Sequence, residues 1–154
     1  MAKIINNITV LPKDIENLLR EAQEVAKHAY NKYSNFLVGA AVITKSGNVY
    51  KGTFLENSSF GLTICAEPAA IMAANSNGDF EILSIAIVGG DPMAKEYGEP
   101  VTPCGRCRQI IYEASTVSGV DIDIYCSNLN LSKVLVTTIS ELLPLPFLKT
   151  DFSN

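Results

Sequence analysis

Two short segments hold side chains that could do chemistry together: Cys65-Ala66-Glu67 and Pro103-Cys104-Gly105-Arg106-Cys107. Cys104 and Cys107 are three residues apart, so on a helix they share one face and can grip one ion. A thiol is a poor ligand until it loses its proton, and the positive end of a helix lowers its pKa. The sequence places each segment at the start of a helix, so two such ends would converge on one ion. Three thiolates around Zn²⁺ leave the fourth tetrahedral position for water, the arrangement of a catalytic site. Glu67, two residues from a ligand, would lie near that water without binding the metal. Two other readings stay open. One is a redox Cys-x-x-Cys pair, although Pro103 and a long polar loop precede it where such motifs have a strand. The other is a structural zinc with Cys126 as fourth ligand, in a non-catalytic interaction module, although Cys126 ends an expected strand and suits a small buried hydrophobe.

The elements that must position these residues follow from periodicity. From Pro12 onward, Ile15, Leu18, Leu19, Ala22, Val25, Ala26 and Ala29 form one apolar helical face, and the stretch 31–35 supplies the stop. Strands are expected at 38–44 and 49–55 around a Lys45-Ser46-Gly47-Asn48 turn. An Ala-rich helix at 65–75, uncharged beyond Glu67, is expected to be buried all round. The β-branched run 81–88 reads as an interior strand, followed by a polar segment, a helix at 104–115, and strands at 122–126 and 134–138. This alternation predicts an α/β fold of three α/β/α layers, with a mixed sheet of roughly five strands in one domain spanning 1–154.

The chain has 154 residues, 47% hydrophobic and 18% charged, which suits one packed core and excludes a disordered chain. Twelve Lys plus Arg against sixteen Asp plus Glu give a net charge of −4, an acidic balance that argues against nucleic-acid binding. No apolar run approaches the ~20 residues of a membrane span. Met1-Ala2-Lys3-Ile4-Ile5-Asn6-Asn7 turns polar before a signal-peptide core could form, so the expected compartment is the cytoplasm, where thiols stay reduced.

Cys-x-Glu upstream with Pro-Cys-x-x-Cys downstream matches the zinc-deaminase signature in its three-cysteine form. The sequence resembles the cytidine deaminase family, specifically its short, homotetrameric branch, over residues 33–147, about three-quarters of the chain. The resemblance is carried in order by Tyr33-Ser34-Asn35-Phe36, Val38-Gly39-Ala40-Ala41, Glu56-Asn57, Gly61-Leu62-Thr63, Cys65-Ala66-Glu67, Pro103-Cys104-Gly105-Arg106-Cys107-Arg108-Gln109, and Glu141-Leu142-Leu143-Pro144 with Phe147. It implies zinc-dependent hydrolytic deamination of a cytosine-type nucleoside in pyrimidine salvage. Cys65, Cys104 and Cys107 would hold zinc and Glu67 would shuttle protons. Phe36 would stack on the base, Glu56 would hydrogen-bond the ribose, and Phe54, Asn57 and Ala66 would line the substrate site. Phe147 would reach a neighbouring subunit's site in a homotetramer or homodimer.

Two positions depart from the family pattern. Phe54 stands where the family has Asn two residues before the ribose-binding Glu, which replaces a hydrogen-bonding group by an apolar one. Pro68 stands where an Arg commonly follows the catalytic Glu and offsets thiolate charge. Arg106, and less directly Arg108, are the cations placed to take over that charge balance. Blasticidin S deaminases resemble this chain in the Arg between the two cysteines, which makes blasticidin S or another aminated heterocycle the alternative substrate. The remaining notable side chains have ordinary readings: His28 on a helix flank, Asp91 in a strand-ending turn, Gln109 and Glu113 beside the ligands or merely solvated, Tyr112 and Tyr125 in the core or an interface.

Overall fold

The computed structural model describes residues 1–96 and 98–148. Its elements run β1 (Lys3–Ile5), α1 (Lys13–Ala26), β2 (Leu37–Thr44), β3 (Val49–Thr53), α2 (Ala66–Ser76), β4 (Ile82–Gly90), α3 (Gly105–Ser118), β5 (Asp123–Asn128), β6 (Val134–Thr138) and the single turn α4 (Ile139–Leu142). Short 3₁₀ turns at Ile8–Val10 and Phe60–Leu62 complete the list.

The strands form one sheet in the order β1-β6-β5-β4-β2-β3, with β4 and β5 parallel and every other pair antiparallel. Among the described residues the sheet is mixed, as expected, with six strands where roughly five were expected. The additional strand is β1, a three-residue edge whose register is set wholly by β6 (Lys3 opposite Val136).

Period-2 alternation divides the core between two faces. Ala40, Val42, Ile85, Ile87, Ile124 and Cys126 pack under α2, α3 and α4. Ala41, Ala86, Val88 and Tyr125 pack under Leu18, Leu19 and Ala22 of α1. Strand β4 is covered on both sides, which is why its sequence is a continuous apolar run. The three-layer α/β/α arrangement follows.

Two glycines let the helices lie directly on strand backbone. A Cβ at Gly39 of β2 would sit 2.2 Å from the Ala22 carbonyl oxygen of α1, and one at Gly52 of β3 would sit 2.2 Å from the Ala70 nitrogen of α2. Both helices can therefore approach only because these side chains are absent.

Several boundaries differ from expectation. Helix α1 ends at Ala26 rather than near Ala29, and the chain reaches β2 through Asn35 in the left-handed region (φ 57°), which Asn tolerates. Strand β3 stops at Thr53, leaving Leu55 to make isolated bridges with Tyr30 and Ile64. Helix α3 runs three residues past its expected end, to a left-handed Gly119 (φ 68°). Helix α2 is not buried all round: Met72 is 60% exposed, and an apolar groove of about 430 Å³ runs between α2 and α3 past Ile71, Phe80 and Val117. An alanine-rich helix has no polar stripe to mark its open side, so the sequence did not reveal it.

Candidate metal centre and substrate cavity

Cys65 is the N-cap of α2 and Cys104 the N-cap of α3; both have extended backbone, and neither side chain caps its own helix. Cys107 lies in the first turn of α3 and is fully buried, Cys65 is half-buried and Cys104 exposed. The three Sγ atoms lie within 4.8 Å of one another, with Cys104 and Cys107 3.5 Å apart. Tetrahedral zinc with Zn–S bonds of about 2.3 Å needs sulfurs about 3.8 Å apart, so the trio fits the ion with little adjustment.

The sulfurs stand at two helix N-termini, whose positive dipole ends favour the thiolate form. The Cys107 thiol, donating to Cys65, draws the Cys65 thiol down to about 7; burial and the Glu67 charge oppose this, and Cys104 and the Arg106 guanidinium assist. Cys107 shifts in the opposite direction, held protonated by its bond to Cys65 and by burial.

Glu67, the second residue of α2, is 4% exposed. Burial pushes its carboxyl up, against its own backbone N–H and the Cys107 thiol. A carboxyl kept out of bulk water beside three sulfurs is suited to general acid–base work. Pro68 follows in the first turn, where its missing N–H removes no intrahelical bond.

Cys126 is buried in the sheet core on β5, where burial pushes its thiol up to about 12. It does not belong to the sulfur cluster, so the closed four-sulfur reading does not hold. His28 is exposed beyond α1 and also lies outside the cluster.

The two arginines separate. Arg106 reaches across to donate to the Thr63 carbonyl at 3.4 Å, and its charge acts on Cys65. Arg108 instead donates to the carbonyls of Pro103 (2.9 Å) and Leu142 (3.1 Å), a bracing role, and its charge falls on Cys126.

The expected substrate residues fall in different places. Phe54 and Glu56 line one open cavity of about 430 Å³ together with Tyr33, Ser34, Phe60 and Thr63. Glu56 is buried, and although burial raises its carboxyl, donation from the Tyr33 and Ser34 backbone N–H groups holds it below the usual carboxylate range. Both donate to Oε2 (2.7 and 3.1 Å), while Oε1 accepts no hydrogen bond among the described residues. Phe36 lines a separate cavity of about 210 Å³ with Gly89, Gly90 and Asp91, at the ends of β4 and β5. Asp91 there caps its own turn, accepting from the Met93 N–H at 2.8 Å. Asn57 shapes its loop, accepting from Ser59 N–H at 2.8 Å. Ala66 packs its methyl in the core and can offer a ligand only backbone. The Phe147 ring is 76% exposed. Tyr112 packs against the core and Tyr125 is buried under α1.

Sequence reasoning missed Phe60, which stands edge-on to Tyr33 with ring centroids 6.1 Å apart on the cavity wall. A lone aromatic in a polar loop carries no periodic signal, so nothing in the sequence distinguished it.

Residues 12–120 match the family described as the cytidine and deoxycytidylate deaminase zinc-binding region. The chain belongs to this family. It is 38% identical to a cytidine deaminase of Halalkalibacterium halodurans, over 92% of this chain and 99% of that protein. It is 34% identical to a blasticidin-S deaminase of Bacillus cereus, over 71% and 76% of the two chains. Among solved structures, the cytidine deaminase of Burkholderia pseudomallei superposes with a TM-score of 0.74 at 37% identity, covering 85% of this chain and 97% of the other. That of Mycobacterium tuberculosis superposes with a TM-score of 0.70 at 34% identity, covering 88% and 98%. The chain is thus a deaminase-type hydrolase whose metal is zinc, in agreement with its three-sulfur cluster. No helix among the described residues is long and apolar enough to cross a membrane.

Proposed function

We propose that this chain is a cytoplasmic enzyme of pyrimidine salvage that hydrolyses the exocyclic amine of cytidine and deoxycytidine, giving the uridine nucleosides and ammonia. The observation that carries this reading is the meeting of three thiols at two helix N-termini beside the buried carboxyl of Glu67.

Cys65, Cys104 and Cys107 hold the zinc, with the helix ends and Arg106 offsetting thiolate charge. When bound, zinc supplies the Lewis acidity that makes water nucleophilic near neutral pH. Glu67 takes a proton from the attacking water, delivers it to N3 of the ring, and later passes a proton to the departing C4 amine. Net, the C4–N bond is replaced by a C4–O bond at the expense of one water. Glu56 Oε1 accepts a sugar hydroxyl, and the rings of Phe54 and Phe60 exclude water around it. Residues 1–154 act as one domain. A second copy of the chain covers the open cavity with Phe147.

Glu67→Gln tests the chemistry: bound zinc is retained and nearly all ammonia release is lost. A variant with the wild-type rate would refute the assignment.

Blasticidin S, a modified cytosine nucleoside, is the second reading, favoured by Phe54 on the cavity wall and by the relative named for that activity. Ammonia release from cytidine, deoxycytidine, blasticidin S and free cytosine, measured side by side, separates the two.

A further inference from the structure

The C-terminal segment is tied at both ends to the helix that carries Cys107. Arg108 Nη1 donates to the Leu142 carbonyl at 3.1 Å. The next residue, Gln109, donates from Nε2 to the Phe147 carbonyl at 2.9 Å and accepts at Oε1 from the Phe147 N–H at 3.0 Å. One side-chain amide thus engages both backbone groups of a single residue, as a neighbouring strand would.

Between the two ties stand Pro144 and Pro146, each of which fixes φ and stiffens the interval. The result is a braced arm whose apolar side chains point outward: Leu145 is 90% exposed and Phe147 76%. Leu142 and Leu143 pack against the core, but the exposed side chains of Leu145 and Phe147 have no burial in their own chain to hold them, so the order of that part rests on the bracket at Gln109. Phe147 does not line the cavity at Glu56 in its own chain, and that cavity is open and walled by Tyr33, Phe54 and Phe60. An exposed ring on a stiff arm and an open aromatic cavity are complementary surfaces for two copies of one chain.

We propose that Gln109 is a positioning residue: with Arg108 it fixes residues 142–147 as an arm that carries the Phe147 ring to the substrate cavity of a second copy. This rests on the functional reading above for the destination of the ring, but not for the clamp itself.

The test uses the zinc-loaded full chain and the variants Gln109→Met, Gln109→Glu, Phe147→Ala and Gln109→Met/Phe147→Ala. Amide hydrogen exchange at residues 145–148 reads the clamp, and kcat and KM for cytidine read the presentation of the ring. Gln109→Met removes both bonds to Phe147, and loss of the one that the Phe147 N–H donates predicts about tenfold faster exchange of that amide. KM is expected to rise by about as much, with kcat changed far less. Gln109→Glu keeps the acceptor for the Phe147 N–H, so it exchanges more slowly than the Met variant, and it carries the test if the Met variant misfolds. In the Phe147→Ala background, Gln109→Met leaves KM where it was.

Unchanged exchange in Gln109→Met would overturn the clamp. Faster exchange with an unchanged KM would overturn the presenting role, as would a further KM increase in the double variant. If the wild-type chain releases ammonia from no nucleoside, the functional reading fails, while exchange still decides the clamp.

Discussion

A methyl group at Gly52 would collide with backbone. Its carbon would lie 2.2 Å from the Ala70 nitrogen and 2.6 Å from the Ala66 carbonyl oxygen, against an ordinary contact of at least 3.4 Å. Neither atom is the free end of a side chain, so Gly52→Ala must push α2 away from β3 by about 1 Å or distort it. Overpacking of this kind costs about 1–3 kcal/mol, which lowers the urea midpoint by about 1 M at ordinary m-values. The more specific consequence concerns metal. Cys65 caps α2, whereas Cys104 and Cys107 belong to α3, so retreat of α2 withdraws one sulfur from the other two. Metal sites hold their distances to about 0.2 Å, so a displacement of about 1 Å should weaken zinc binding by at least about tenfold. Gly39→Ala is the control. Its new methyl would press on the Ala22 carbonyl oxygen of α1 by the same margin, but α1 carries no sulfur ligand. Urea unfolding of the apo proteins and competition with a chromogenic zinc chelator read the two effects separately. The expectation is that both variants lose stability and that Gly52→Ala alone loses zinc affinity. Equal zinc affinity in the two variants, at comparable instability, would refute the reasoning.

Two further outcomes follow from the geometry. Phe54→Asn restores a hydrogen-bonding group beside Glu56 and should raise kcat/KM for cytidine relative to blasticidin S and free cytosine; unchanged relative rates would exclude a sugar contact at this position. Asp79 accepts at Oδ2 from Ser46, Asn48, Thr44 and Tyr50, and those bonds, led by Ser46 and Asn48 and opposed by burial, hold its carboxyl below the usual value. Because the folded pKa is depressed, the stabilisation is present above the unfolded value and is lost as pH falls through the folded one. Asp79→Asn should therefore be less stable than the wild type at neutral pH, with the gap closing below about pH 4 in urea unfolding; a pH-independent gap would exclude this account.

The legible parts of this molecule were those whose signals are local and repeated. The Leu18, Leu19 and Ala22 stripe of α1 and the β-branched run of β4 declared both type and burial, because one periodic pattern was enough. The metal cluster was legible for a different reason: Cys65 and Cys104 each stand at a helix start, and a fold that brings two helix ends together brings their caps together. What depended on distant partners was not legible. Strand β1 exists because β6 offers it an edge, and Lys3-Ile4-Ile5 alone is too short to show a period. Phe36 and Phe54 belong to one substrate site by resemblance, yet they line different cavities within a single chain, a separation that only the packing of β2 against β3 and β4 sets. Gln109 read equally well as solvated or as a neighbour of the ligands, and its two bonds to Phe147 span a separation of 38 residues that no local pattern encodes.

The central claim is that Cys65, Cys104 and Cys107, without Cys126, bind one zinc ion and leave a position open. Zinc K-edge X-ray absorption on the wild type and on Cys126→Ser tests it most directly. The account predicts one zinc per chain with three sulfur neighbours and one light-atom neighbour, and the same spectrum in both proteins. A fourth sulfur neighbour in the wild type that disappears in Cys126→Ser, or a purified protein holding no zinc, would contradict it.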